Sequence, residues 1–189
     1  MMDKFELKLV PSSYTEERSW TYNEIGEDID CEPYQHTTNY VSAEIIINNQ
    51  QTGEFVDYFA LFHDVLDKGY TNPFWSEGQG TDSNFYPFTC SCGNAGCASI
   101  WNGIFSKHRK YTIEYRIKDR LLNGYGFLPK SFYSFDKQEY INQIVKAWKY
   151  LNTLDKDYTD GFDHSSDLYE TLSYIKEHKD YKGSVLDCL

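Results

Sequence analysis

Long apolar runs are missing from this sequence. A membrane-spanning helix needs about 20 consecutive apolar residues, and no window of the chain approaches that length. The first residues also lack the basic segment followed by an apolar one that marks a secretory signal. From these two absences we expect a cytoplasmic protein that does not bind or cross a membrane.

Positive charge is also scarce. The chain carries 18 lysine and arginine residues against 29 aspartate and glutamate residues, which gives a formal net charge of −11. Such a charge repels nucleic acid and anionic membrane surfaces and attracts basic surfaces. We therefore expect no nucleic-acid partner and predict a basic protein partner.

Several catalytic motifs are absent. The sequence contains no phosphate-binding glycine loop, no nucleophile elbow and no zinc-protease motif. His63 and Asp64 are neighbours on a predicted helix, and adjacent helical residues do not face each other, so they do not form a catalytic dyad on their own. These absences favour a non-enzymatic protein.

What the sequence does contain indicates an α+β fold. Phe5, Leu7 and Leu9 alternate with polar residues, as do the apolar residues of 41–47, and alternation predicts strands. A helix is predicted after an N-cap at Thr52, and a strand hairpin over 98–117 with a turn at 106–110. We expect an antiparallel sheet of hairpins with helices packed on one side, forming one domain over residues 1–189.

The C-terminal third is predicted to be helical. Asp136 precedes Glu139 by three residues, and Asp167 precedes Glu170 in the same way. This spacing is the capping-box pattern that marks a helix start. Apolar residues follow each pair at helical spacing, so the sequence predicts two helices here.

Three of the five cysteines lie within eight residues, at Cys90, Cys92 and Cys97. We call residues 90–97 the knuckle. Three nearby thiolates can hold a structural zinc ion if a fourth ligand joins them, and Cys31 is the first candidate because it would complete a four-sulfur site. The alternative is a cysteine-lined turn whose thiols are small buried apolar groups. The other candidates for the fourth ligand are His108, His63, His36 and Cys188.

The knuckle carries two resemblances. Its C-x-C-x4-C spacing resembles the post-SET zinc module of lysine methyltransferases, which implies three metal thiolates. The methyltransferase activity is not implied, because the Asn-His-Ser-Cys type of motif is absent. The longer run from Tyr86 to Trp101, with an aromatic segment before Cys90, is similar to a group of uncharacterised bacterial proteins. That resemblance implies a related fold and no particular function.

The acidic residues are concentrated in one stretch. Residues 19–67 contain ten carboxylates and no lysine or arginine, which accounts for nearly all of the net charge. Charge fields of this kind attract basic partners, as in proteins that neutralise basic nucleases. We therefore predict an immunity-protein or antitoxin-like inhibitor of a basic toxin. Three alternatives stay open: a metal- or thiol-dependent enzyme using the knuckle, a structural or adaptor protein, and a solvated acidic face without a partner. The predicted partner-binding residues are Glu24, Glu27, Asp28, Asp30 and Glu32.

Overall fold

A computed structural model describes residues 2–23, 27–52, 55–67, 84–90, 95, 103–117, 128–155, 157–159, 168–177 and 181–186. Within these residues eight strands and three helices follow one another along the chain. They are β1 (Phe5–Tyr22), β2 (Asp28–Ile47), β3 (Gln50–Gln51), α1 (Tyr58–Asp67), β4 (Asn84–Phe85), β5 (Ile104–His108), β6 (Thr112–Ile117), β7 (Phe132–Asp136), α2 (Lys137–Leu151), β8 (Tyr158–Thr159) and α3 (Leu168–Glu177).

The first sheet is built on one very long hairpin. β1 and β2 pair antiparallel from Phe5 opposite Ile47 to Tyr22 opposite Asp28. A two-residue turn then returns the chain into β3, and both of its residues, Asn48 and Asn49, have positive φ angles. Asparagine tolerates this left-handed conformation better than most residues, which suits it to such a turn. The short strand β8 joins β2 in parallel near the middle of the hairpin.

The second sheet is antiparallel, in the order β4-β5-β6-β7. Asp3, just before β1, connects the first sheet to β7 of the second sheet. Its backbone N–H donates to Ser134 O at 2.8 Å, and its carboxylate accepts from Ser134 N at 3.0 Å. The same carboxylate accepts from Lys130 Nζ and from Asn48 Nδ2, both at 2.8 Å. Burial alone would raise the pKa of Asp3, but these hydrogen bonds outweigh it and lower the pKa.

The two sheets share one core. Phe5 of β1 packs against Phe135 of β7 and Tyr140 of α2, with ring centroids 5.4 Å and 4.5 Å apart. α1 joins the same core through Phe62, whose ring meets Trp148 of α2 edge-on at 5.2 Å. Aromatic burial of this kind contributes both apolar area and preferred ring geometry. The buried apolar residues of both sheets and of all three helices belong to this one cluster.

The α+β fold predicted from the sequence is confirmed. The helix after Asp136 is confirmed as α2, and Asp136 Oδ1 accepts from Glu139 N at 2.9 Å as the N-cap. The predicted start at Asp167 falls outside the described residues, although α3 begins directly after it.

Two local predictions are wrong. α1 does not start from Thr52, whose hydroxyl donates instead to Ile45 O at 2.8 Å. Asp57 caps the helix, accepting from Phe59 N at 2.9 Å and Ala60 N at 3.1 Å. The hairpin turn predicted over 106–110 begins later, because β5 continues to His108.

Candidate functional site

The outer part of the first hairpin forms an arm, which we define as residues 11–40. Among the arm residues whose side chains are described, Thr38 is the single buried one. The strand β2 runs ten residues beyond it to Asp28, which is about 30 Å at the rise of an extended strand. Beyond Asn39, where β8 pairs with β2, the described arm is a two-stranded ribbon that extends well past the last buried residue of its own strands.

The predicted partner-binding carboxylates lie at the end of this arm. Glu27, Asp28, Asp30 and Glu32 are all exposed, and within the described part of the chain none of them forms an ion pair. Glu27 helps to close the end of the hairpin, since its backbone N–H donates to Asn23 Oδ1 at 2.8 Å. Four of the five residues are thus brought together, and Glu24 lies outside the described residues.

A bulge shapes the arm near its end. Arg18 faces Tyr34 and Trp20 faces Asp30, so Ser19 on β1 stands opposite three residues, 31–33, on β2. Such an irregularity bends the ribbon and re-aims side chains. Pro33 suits it because proline has no N–H to give to a regular ladder. Cys31 is in this bulge, as a partly exposed free thiol.

The two faces of the arm differ in chemistry. Directly paired residues share a face, and five rings lie on one side of the ribbon, which we call the aromatic face. The Tyr14 and Tyr40 ring centroids are 6.2 Å apart, and the Tyr34 hydroxyl donates to Trp20 O at 3.3 Å. The opposite face carries mainly hydroxyl, amide and carboxylate side chains, together with the exposed Ile29. The members of the aromatic face are Tyr14, Trp20, Tyr34, His36 and Tyr40.

The predicted metal site is only partly described. Cys90 is buried within the shared core, whereas Cys31 is in the bulge of the arm. Cys92 and Cys97 lie outside the described residues. Within the described ranges no group of three His, Cys, Asp or Glu side chains is arranged to hold a metal ion. The structural zinc ion therefore stays a prediction. So does the alternative that the protein is a metal- or thiol-dependent enzyme using the knuckle.

Three further carboxylates of the predicted acidic stretch have described side chains, and none of them joins the arm tip. Glu44 pairs with Lys8 at 3.0 Å, and Asp57 caps α1. Asp64, seven residues further along α1, is completely buried. The stretch that is continuous in sequence is therefore divided between a tip, a helix cap and the core.

Asp64 is the acceptor of a buried polar cluster, which we call the polar centre. Its Oδ2 accepts from Tyr140 Oη and lies 3.1 Å from both that atom and His108 Nε2. The Tyr140 hydroxyl in turn lies 2.6 Å from that of Tyr115. The contact between His108 and Asp64 joins β5 to α1 inside the protein. Asp64 Oδ1 is also buried and makes no hydrogen bond within the described residues.

Burial fixes the two tyrosines as neutral groups. It raises the pKa of Tyr115 well above its ordinary value, and the nearby Asp64 charge adds to this effect. Burial raises the pKa of Tyr140 in the same way, with further contributions from Tyr115 and Asp64. Both hydroxyls therefore keep their protons across the physiological range; that of Tyr140 donates to Asp64, and that of Tyr115 contacts Tyr140.

Sequence reasoning missed the polar centre, although one signal was present. The sequence predicts His108 in a turn and as a candidate metal ligand, yet its side chain is only 5% exposed. Ile104, Ser106 and His108 alternate with Phe105 and Lys107, and the first two are buried on the inner face of β5. This period of two places His108 inside, where it meets a residue 44 positions away in sequence.

No protein-family model, curated protein or solved structure matches this chain. The fold and the arm thus define the class by themselves, as a two-sheet α+β protein with an acidic hairpin arm. None of the helices described is long and apolar enough to cross a bilayer.

Proposed function

We propose that this protein is a non-enzymatic binding protein that uses the end of its arm to engage a basic protein, as an immunity protein or antitoxin engages a basic toxin. One observation carries the proposal. Glu27, Asp28, Asp30 and Glu32 are exposed together at the end of a projecting ribbon, without ion pairs in the described part of the chain. We place this action in the cytoplasm.

The electrostatics of the arm support this role. Its described residues contain six carboxylates and a single lysine or arginine, namely Arg18. Like charges held close together in one ribbon repel one another, so they bring the protein no stability of their own. A basic partner would relieve this repulsion and would be attracted from a distance.

The shape of the arm supports it as well. A ribbon that extends about 30 Å past its last buried residue can enter a cleft that a flat surface cannot reach. A nuclease holds its nucleic acid in a basic cleft, so an acidic ribbon has the charge to occupy the same place. Inhibition would then follow from occupying that cleft.

The test uses the product of the neighbouring gene, if that product is toxic. We expect the protein to bind it and to protect cells that express it. Neutralising the tip with Glu27→Gln, Asp28→Asn, Asp30→Asn and Glu32→Gln should weaken binding and abolish protection. Failure of the unaltered protein to bind or to protect would remove the proposal.

A matched control removes the same charge elsewhere. Glu6, Asp155, Asp157 and Glu177 are exposed and lie outside the arm. Changing them to the corresponding amides lowers the net negative charge equally. If this control variant loses binding as much as the tip variant, the overall charge is responsible and the arm is not the binding surface.

A further inference from the structure

The aromatic face of the arm already holds one guanidinium group. Arg18 Cζ lies 4.8 Å from the centroid of the Trp20 ring, and Arg18 Nε donates to the Glu16 carboxylate. The Arg18 side chain is only 15% exposed in this position. A ring and a carboxylate thus hold the arm's own Arg18 side chain against this face.

The ring and the carboxylate that hold Arg18 each have a second partner across the ribbon. Asp30 stands directly opposite Trp20, and Glu16 stands directly opposite His36. Paired residues of an antiparallel ribbon project to the same side, with Cβ atoms about 5 Å apart. The Glu16 side chain is 41% exposed, so it is accessible to a second donor besides Arg18.

The charge of the arm decides which occupant fits this face. A second copy of the chain would bring another set of six described carboxylates and one arginine against the first, which is unfavourable. A cationic polypeptide would be complementary along the whole ribbon. Aromatic rings beside carboxylates are also the surroundings in which cation–π contacts occur.

We propose that the aromatic face binds arginine side chains of a basic partner, each stacked on a ring and hydrogen-bonded to a carboxylate as Arg18 is. This inference rests on the proposed function and specifies the chemistry of the partner. Arginine is preferred to lysine because a planar, weakly hydrated guanidinium stacks on rings and can bond a carboxylate through two N–H groups. The ammonium of lysine is compact and strongly hydrated.

The experiment compares an oligo-arginine with an oligo-lysine peptide of equal length, each titrated calorimetrically into the full chain at constant ionic strength. We expect the arginine peptide to bind about fivefold or more tightly, given the size of one or two exposed cation–π contacts. The double variant Trp20→Leu, Tyr34→Leu keeps apolar bulk and removes two rings. It should reduce the preference to about twofold or less.

Gln35→Leu supplies the matched control, because residue 35 neighbours Tyr34 and projects from the opposite face. It should leave the preference for arginine unchanged. Thermal unfolding of each variant checks that the arm substitutions leave the fold intact.

The outcomes separate this inference from the proposed function. Equal affinity for both peptides, lost on neutralising the tip, contradicts the arginine preference and leaves the acidic arm as a binding surface. Absence of binding to either peptide contradicts both. A preference for arginine that survives in the double variant also overturns the inference. So does a dimer of the protein alone that the double variant dissociates, since a second copy would then occupy the face.

Discussion

The arm tip and the polar centre use carboxylates from the same stretch of sequence in opposite ways. At the tip, four carboxylates are exposed and make no ion pair within the described residues. In the polar centre, one carboxylate is fully buried and two neighbouring side chains lie 3.1 Å from its Oδ2. A run of carboxylates in the sequence therefore does not correspond to one structural feature, because some of its members are exposed and others are buried.

The largest difference in the free energy of unfolding is expected between a variant that lacks the buried carboxylate and a variant that lacks an exposed one. Asp64→Ala leaves the buried side chains of His108 and Tyr140 without their hydrogen-bond partner and should lower the free energy of unfolding by about 3 kcal/mol or more. Asp30→Ala at the tip should change it by about 0.5 kcal/mol or less. Urea titration measures both values. Similar losses in the two variants would show that the regions do not differ in the way we describe.

Removing one hydroxyl from the polar centre should have a smaller effect. Tyr140→Phe deletes the group between Asp64 and Tyr115, and we expect a loss of about 1–3 kcal/mol at neutral pH. Tyr150→Phe is the control, because Tyr150 lies on the same helix and is exposed. Equal stability of the Tyr140→Phe variant and the unaltered protein at pH 7 would contradict the role given to this hydroxyl.

The same substitution should change the response to alkali. The pKa of Tyr140 is raised in the folded state, so its contribution to stability is complete below the unfolded value of about 10 and is lost as the pH rises above it. The difference in unfolding free energy between the unaltered protein and Tyr140→Phe should therefore shrink above about pH 10. A difference that grows there would contradict the assignment.

Asp3 should give a smaller effect, at acid pH. Its pKa is lowered in the folded state, so it stabilises the fold above the unfolded value of about 4 and this contribution is lost as the pH falls below it. Asp3→Asn should accordingly make unfolding less sensitive to pH in that range. Thermal unfolding between pH 2 and pH 6 checks this, with Glu6→Gln on the neighbouring strand as the control. An unchanged acid profile would contradict the prediction.

The smallest effect on stability is expected at the tip. The variant with all four tip carboxylates neutralised should unfold at nearly the same temperature as the unaltered protein, because exposed charges contribute little and the amide of Glu27→Gln keeps an oxygen that can accept from Asn23. Removing mutual repulsion should raise the temperature slightly, if it changes it at all. A marked loss of stability would show that these carboxylates have a structural role.

Sequence reasoning found the parts of the fold that depend on local patterns. The helix start at Asp136 was predictable, and so were the strands around Leu7 and Ile45. Each of these features depends on residues that are neighbours in the chain. The arm was not predicted, because its strands continue for many residues after the alternation of buried apolar residues ends. The two strands of the arm are held together by their pairing with each other. The register of that pairing cannot be read from either strand alone.

The candidate site was predictable only where its residues are close together in the sequence. The tip carboxylates Glu27 to Glu32 are close in sequence, so their proximity followed directly. The polar centre joins Asp64, His108 and Tyr140 from three different elements, and only the fold brings them together. No local pattern distinguishes Asp64 from the carboxylates that precede it in the acidic stretch.

One variant tests the central claim, that the arm is a binding surface separate from the core. Glu16 pairs with His36, so residues 17–35 can be replaced by a two-residue Asn-Gly turn, which suits a tight hairpin. We predict that the shortened protein unfolds at nearly the same temperature as the full chain and binds the basic partner and the oligo-arginine peptide much more weakly. Retention of full binding by the shortened protein would contradict the account.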